Sequence, residues 1–156
     1  MEGLILRRGI PGDLETIAAH NRAMALETEG RLLDTEACRR GTEQVLAGAV
    51  PAYYLVAELD GELAGQLMVT TEWSDWRDGV FWWIQSVYIA PRFRRRGIYR
   101  ALYGHLLAEA RRDPAVCGLR LYVDRGNAAA KEVYRSLGMH PTDYELYEVD
   151  FAEGGE

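Results

Sequence analysis

A chain of 156 residues with 18 Lys and Arg against 24 Asp and Glu carries a formal net charge of -6. That length supports one self-sufficient core over residues 1–156, and the acidic balance argues against a protein that coats nucleic acid through its overall field. No apolar run reaches the ~20 residues of a membrane helix, and Cys38 and Cys117 lack zinc-site spacing and histidine partners. The expectation is therefore a cytoplasmic protein with two ordinary buried thiols, no metal and no membrane or nucleic-acid partner.

Along the chain, Leu4 to Arg8 alternates weakly as a short strand, and Pro11 and Asp13 open a helix with Leu14, Ile17, Ala18 and Asn21 on one face. Gly30 ends it. Asp34 is an N-cap for a second helix that carries Cys38, Val45 and Leu46 towards Gly48. From Tyr53 the period changes to that of strands: YYLVAEL, an Asp60-Gly61 turn and ELAGQLMVTTE form a hairpin. WSDWRDG reads as a polar, aromatic loop, and VFWWIQSVYIA as a central strand covered on both faces, with Trp82 and Trp83 packing on opposite sides.

Pro91 closes that strand, and Ile98, Ala101, Leu102, His105, Leu106 and Glu109 fall at the spacing of a third helix. His105 is a core-edge residue on its apolar face. LRLYV from Leu119 is another strand, and Asn127 starts a helix with the stripe Ala130, Val133, Tyr134 and Leu137, stopped by Gly138. YELYEVDF alternates as a final strand, and residues 151–156 read as a frayed tail. This order of elements implies an α/β, more strictly α+β, architecture: one mixed sheet flanked by helices.

The link from the central strand into the third helix is RFRRRGIYRAL. Helix N-termini present unpaired N–H groups and partial positive charge, so a glycine-containing link entering one suits an anion such as a diphosphate. Gly97 would let the backbone approach phosphate oxygens, and Arg94, Arg95, Arg96 and Arg100 would neutralise them. A solvated basic turn has the same composition.

Two segments carry a resemblance. Arg94-Arg95-Arg96-Gly97-Ile98-Tyr99 is similar to the Arg/Gln-x-x-Gly-x-Gly/Ala segment with which the GNAT N-acetyltransferase superfamily grips the pyrophosphate of acetyl-CoA. About thirty residues on, NAAAKEVYRSLGM resembles that family's Asn-x-x-Ala-x-x-x-Tyr-x-x-x-Gly signature. Their order, their separation and the strand ending VYIAP agree with the GNAT pattern over nearly the whole chain. Tyr99 departs from it, standing where Gly or Ala is usual.

The resemblance implies a mostly antiparallel sheet with a splayed central strand pair as the acyl-CoA cleft. It also implies acetyl transfer from acetyl-CoA to an amine by direct attack. Val87, Tyr88 and Ile89 would bond the pantetheine arm, the backbone from Arg95 through Ile98 and Tyr99 to Arg100 the diphosphate, and Asn127 would lie near the pantetheine. Asn127 is equally a favoured N-cap. Tyr134 would be the general acid that protonates the departing thiolate, a role suited to a phenol that keeps its proton at neutral pH; a packed aromatic would occupy the same stripe.

For the base, Glu72 at the end of the third strand is the leading candidate, and a solvated strand-end carboxylate is the alternative reading of it. Where the family often carries an acidic residue on the central strand this chain has Gln85-Ser86, which points to a water relay. On the acceptor side, Glu27 and Glu29 near the first helix's end, with Trp73 and Trp76, suit a cationic amine through ion pairing and cation–π contact; an acidic solvated loop with its two tryptophans folded onto the sheet is the equal alternative. A small-molecule amine is favoured over a peptide. A non-catalytic acyl-CoA-binding module is the alternative, and a homodimer through late strands stays open.

Overall fold

The computed structural model describes residues 1–152; the end of the expected tail lies outside the described residues. It divides into two compact units, Met1–Tyr122 and the residues from Val123 on.

The first unit holds β1 (Leu4–Arg8), a 3-10 turn (Pro11–Asp13), α1 (Leu14–Glu29), α2 (Thr35–Leu46), β2 (Ala52–Leu59), β3 (Glu62–Ser74), β4 (Gly79–Ile89), a second 3-10 turn (Pro91–Phe93), α3 (Ile98–Arg112) and β5 (Val116–Leu121). Local chemistry sets the boundaries. Gly30 ends α1 in the left-handed region at φ 61°, where a Cβ would be penalised. The Asp34 side chain accepts from the Ala37 N–H and so caps α2. Asp60 and Gly61 both have positive φ, 54° and 81°, as a two-residue hairpin turn requires.

The sheet runs β1-β2-β3-β4-β5, antiparallel except for the β4–β5 pair. Ile17 of α1 and Val45 and Leu46 of α2 pack on the face that presents Tyr54, Val56 and Met68. Leu55, Leu67 and Val69 alternate to the opposite face, and α3 contacts β2, β3, β4 and β5 with Ile98, Leu102 and Leu106 buried. Both faces of β2 and β3 are thus covered, which is why their middles are buried without alternation. Each fully buried Leu or Ile here contributes roughly 1.5–3 kcal/mol.

Three sequence expectations for this unit are corrected. WSDWRDG is not a long loop: β3 continues through Ser74, which pairs with Gly79, so only Asp75–Asp78 turns, and Trp73 and Trp76 are exposed at the hairpin end. β5 starts three residues early, because Gly118 and Val116 fit against Phe81 and Val80 in the parallel ladder. The thiols are not both buried, since Cys117 sits on an edge strand and is exposed while Cys38 is half-buried.

The second unit contains α4 (Ala128–Ser136), capped by Asn127, whose side chain accepts from the Ala130 N–H at 3.0 Å. Its stop at Gly138 has φ 85°. YELYEVDF does not form the expected strand: residues 144–151 have no ladder partner among the described residues, and Tyr144, Leu146, Tyr147, Val149 and Phe151 are exposed. A period-2 pattern says which face would be apolar; a strand also needs a neighbour to take its N–H and C=O groups.

Candidate active site

The central feature is a break in β4. Gln66 pairs with Tyr88 and Met68 with Gln85, so Ser86 and Val87 stand opposite the single residue Leu67. This is a β-bulge, and Ser86 takes φ 50° to form it. On the other side, β5 follows β4 only as far as Ile84↔Leu121. From Gln85 to Ile89 the edge of β4 that would face β5 therefore has no ladder partner in the sheet, which is the splayed opening expected at Val87, Tyr88 and Ile89.

The chain leaves that opened edge through Pro91–Phe93 and enters the arginine link. Arg94 is extended, Arg95 has φ 61° and Gly97 has φ 77°. Left-handed residues this close together turn the chain sharply, the kind of backbone that gathers N–H groups into an anion-binding concavity. Gly97 is also the N-cap of α3 and supplies no side-chain cap. A Cβ on Gly97 would meet nothing within 4 Å, so conformation, and not crowding, makes glycine necessary here.

The arginines divide. Arg94 turns away from the link: its Nε donates to the Ile89 carbonyl at 2.9 Å and its NH2 to Glu27 at 2.7 Å. The Tyr88 hydroxyl donates to the other oxygen of Glu27 at 3.0 Å. Three residues expected to serve phosphate, acceptor and pantetheine separately are thus one cluster tying the end of α1 to β4. The Arg94 guanidinium holds the Glu27 carboxyl below its ordinary range, and burial, with Glu27 beside it, pushes the Tyr88 phenol up. Arg95 and Arg96 are exposed, the latter 5.7 Å over the Phe93 ring. The Tyr99 ring lies 6.4 Å from Tyr103, on α3 itself, so the unusual residue at this position leans along its own helix.

Glu72 lies at the other end of β3, six positions from Gln66 or roughly 20 Å at the rise of a strand. It is ion-paired with Arg120 at 2.7 Å. Trp73 and Trp76 share that end, and Glu29 is exposed where α1 ends. Glu72 and the tryptophans are therefore not gathered with Glu27. In the second unit, Tyr134 is half-buried and its phenol is pushed up by burial, which favours the protonated form.

What sequence reasoning missed is a buried polar relay beside the bulge. Thr42 of α2 donates to the Cys38 carbonyl at 2.8 Å. Asn21 of α1 donates through Nδ2 to the Thr42 oxygen at 3.4 Å and to the Tyr54 hydroxyl at 3.1 Å. Gln66, fully buried on β3, donates through Nε2 to Asn21 Oδ1 at 3.0 Å. Its remaining oxygen lies 3.0 Å from Nδ1 of His20, whose ring packs 4.9 Å from that of Tyr88. Burial holds the His20 pKa below its ordinary value, with Gln66 opposing the shift. The available signal was polarity at inward positions: Asn21 on an apolar helix face, and Gln66 inside an apolar strand.

Comparison with known proteins agrees with this geometry. The model of the acetyltransferase (GNAT) family matches residues 16–139. A possible acetyltransferase from Clostridium difficile 630 superimposes with a TM-score of 0.89 at 39% identity, over 96% of this chain and 98% of that one. A predicted acetyltransferase from Clostridium acetobutylicum, solved with acetyl-CoA, gives 0.76 at 18% identity over 98% and 99%. The ribosomal-protein-alanine N-acetyltransferase of Brucella melitensis gives 0.75 at 19% over 95% and 99%; at such identities the likeness is one of fold. No curated protein matches the chain. With the family model covering most of its length, the chain belongs to the GNAT acetyltransferase family.

Proposed function

We propose that this acetyltransferase moves the acetyl group of acetyl-CoA to a primary amine by direct attack, and that a small-molecule amine is the acceptor. The observation that carries this reading is the opened edge of β4 from Gln85 to Ile89, leading within a few residues to the Arg95–Gly97 link. The edge supplies main-chain donors and acceptors to an amide-bearing arm, and the link supplies N–H groups and positive charge to a diphosphate. These residues fit a CoA thioester, whose chemical contribution is an activated acyl carbon with a thiolate leaving group. The family match runs from residue 16 to 139 across both units and supports reading 1–156 as one domain.

Val87, Tyr88 and Ile89 hold the arm through their backbone, and Arg95, Arg96, Gly97, Ile98, Tyr99 and Arg100 hold the diphosphate. Main-chain N–H groups of the opened strand stabilise charge that develops on the acyl oxygen. For Tyr134 and Asn127 we keep the roles the resemblance implies: proton donor to the departing sulfur, and a neighbour of the arm that also caps α4. A phenol raised by burial suits the donor role. The Tyr88–Glu27–Arg94 cluster fixes the wall on the acceptor side, and its net charge is that of a neutralised pair, compatible with an amine that arrives as a cation.

Calorimetry with acetyl-CoA, followed by thiol release over a panel of primary amines from polyamines to peptide N-termini, tests the reading. Binding together with release for small amines supports it. Binding without release for any amine would make the chain an acyl-CoA-binding module, and no binding would remove the site assignment altogether.

A further inference from the structure

We propose that His20 is the base that takes the proton of the acceptor amine, through Nε2, and that Gln66 is the positioning residue that keeps that nitrogen bare. The proposal rests on the amine-acetylation reading above. Its basis is the direction of the relay. Thr42 has a single side-chain proton and gives it to the Cys38 carbonyl, so its oxygen accepts from Asn21 Nδ2. Asn21 then presents Oδ1 to Gln66 Nε2, which leaves Gln66 only its carbonyl oxygen for His20. That oxygen demands a proton on Nδ1. The neutral imidazole is thereby fixed with its lone pair on Nε2, the ring nitrogen that makes no hydrogen bond among the described residues.

Position agrees with chemistry. Gln66 is the residue that pairs with Tyr88 at the edge of the bulge, and the His20 ring rests on the Tyr88 ring, so this lone pair belongs to the part of β4 that opens. Glu72, by contrast, is occupied by Arg120 at the far end of β3. Burial keeps His20 neutral and therefore able to accept. The titratable and charged groups around it are Tyr88 on β4, with Glu27 and Arg94 bonded behind it, Tyr54 on β2, and Cys38 at the far end of the relay on α2.

The proton balance closes. Nε2 takes one ammonium proton and uncovers the nitrogen lone pair, which forms the N–C bond as the C–S bond breaks. The departing thiolate takes a proton from solvent. The second nitrogen proton passes to water and the imidazolium gives the first to water, for a net release of one proton.

The experiment has two arms on the full chain. In the first, ring-nitrogen shifts of ¹⁵N-labelled protein with CoA bound, assigned by comparison with His20→Gln, should give His20 with Nδ1 protonated and Nε2 bare between pH 7 and 8. Gln66→Leu should mix the two tautomers. In the second, with the amine that gives the fastest thiol release, His20→Gln should lower kcat about 10²–10⁴-fold at pH 7, with calorimetric CoA affinity and melting temperature close to wild type. The deficit should shrink at a pH where the amine loses its proton unaided. If His20→Gln melts early, His20→Asn serves as the second variant. A bare Nδ1, or a folded variant with wild-type kcat, overturns the base while leaving the transferase reading intact. Wild-type protein that binds CoA and acetylates no amine overturns both.

Discussion

Replacing Gly97 by Ala separates backbone shape from charge in the arginine link. At φ 77° an L-residue costs roughly 1–2 kcal/mol, and a new Cβ there touches nothing within 4 Å, so conformation is the whole penalty. If the free chain keeps the native turn, the cost falls on stability. At about 2–4 °C per kcal/mol for a chain of this size, the melting temperature drops by roughly 2–8 °C and CoA affinity holds. If the turn relaxes to negative φ, stability holds, and CoA binding must restore the shape at a loss of roughly 5–30-fold in affinity, with 1.4 kcal/mol per factor of ten. Differential scanning fluorimetry and calorimetric titration on one preparation read both quantities, which should sum to the same 1–2 kcal/mol. Arg95→Gly is the counterpart: it relieves a non-glycine φ of 61° while removing a charge, so it should melt no earlier than wild type and lose less in affinity than Gly97→Ala loses in stability and affinity together. If Arg95→Gly or Arg96→Ala costs more in CoA binding than Gly97→Ala costs in stability and binding together, charge and not shape holds the diphosphate.

Glu27 has a depressed folded pKa relative to its ordinary 4.5, chiefly through Arg94. Its contribution to stability is present above that value and is lost as pH falls through the lower folded one, and Glu27→Gln should flatten the melting profile there. Both partners are over a third exposed, so the effect should stay within about 1 kcal/mol. His20, also depressed, from 6.5, should make the protein less stable as pH falls from 6.5 through its folded value, because folding then demands that a half-buried imidazole give up its proton; His20→Gln removes that slope in melts between pH 5 and 8. Gly118→Ala brings a Cβ to 2.7 Å from the Phe81 ring, which Arg120 stacks at 3.6 Å, so chemical denaturation should register a loss of about 1–3 kcal/mol. Exposed Cys117 should react with a disulfide reagent well before Cys38, and Cys117→Ser should remove that background from thiol-release assays.

Elements whose ends are written in local chemistry were legible in the sequence: Gly30 and Asp34 at helix ends, Asp60-Gly61 in the hairpin, Asn127 at the start of α4. So was the order of the two family segments. Features that depend on register were not. Nothing in VFWWIQSVYIA marks Ser86 as left-handed; the bulge exists because Gln66 and Met68 align with Tyr88 and Gln85. Glu72 is visible in the sequence as a strand-end carboxylate, but its pairing with Arg120, 48 residues away, is not. The surroundings of His20 are not visible in the sequence because its neighbours in space, Gln66 and Tyr88, are 46 and 68 positions along the chain. The final strand was misread because amphipathic alternation is a property of one segment, whereas pairing belongs to two.

The one-way polarity of the Thr42–Asn21–Gln66–His20 chain makes the imidazole answerable to a helix it does not belong to. Reversing the proton order at any link means reversing every link beyond it, so the histidine's two neutral forms are separated by a concerted flip and not by a single rotation. A Thr42→Val exchange on α2 removes one of the two hydroxyls, the other being that of Tyr54, that hold the Asn21 amide in this direction, while leaving His20, its aromatic neighbour and the opened strand as they are. Variation at that one remote position could therefore retune how strongly this enzyme pulls a proton, and hence which amines it can use at a given pH, without altering the shape presented to them.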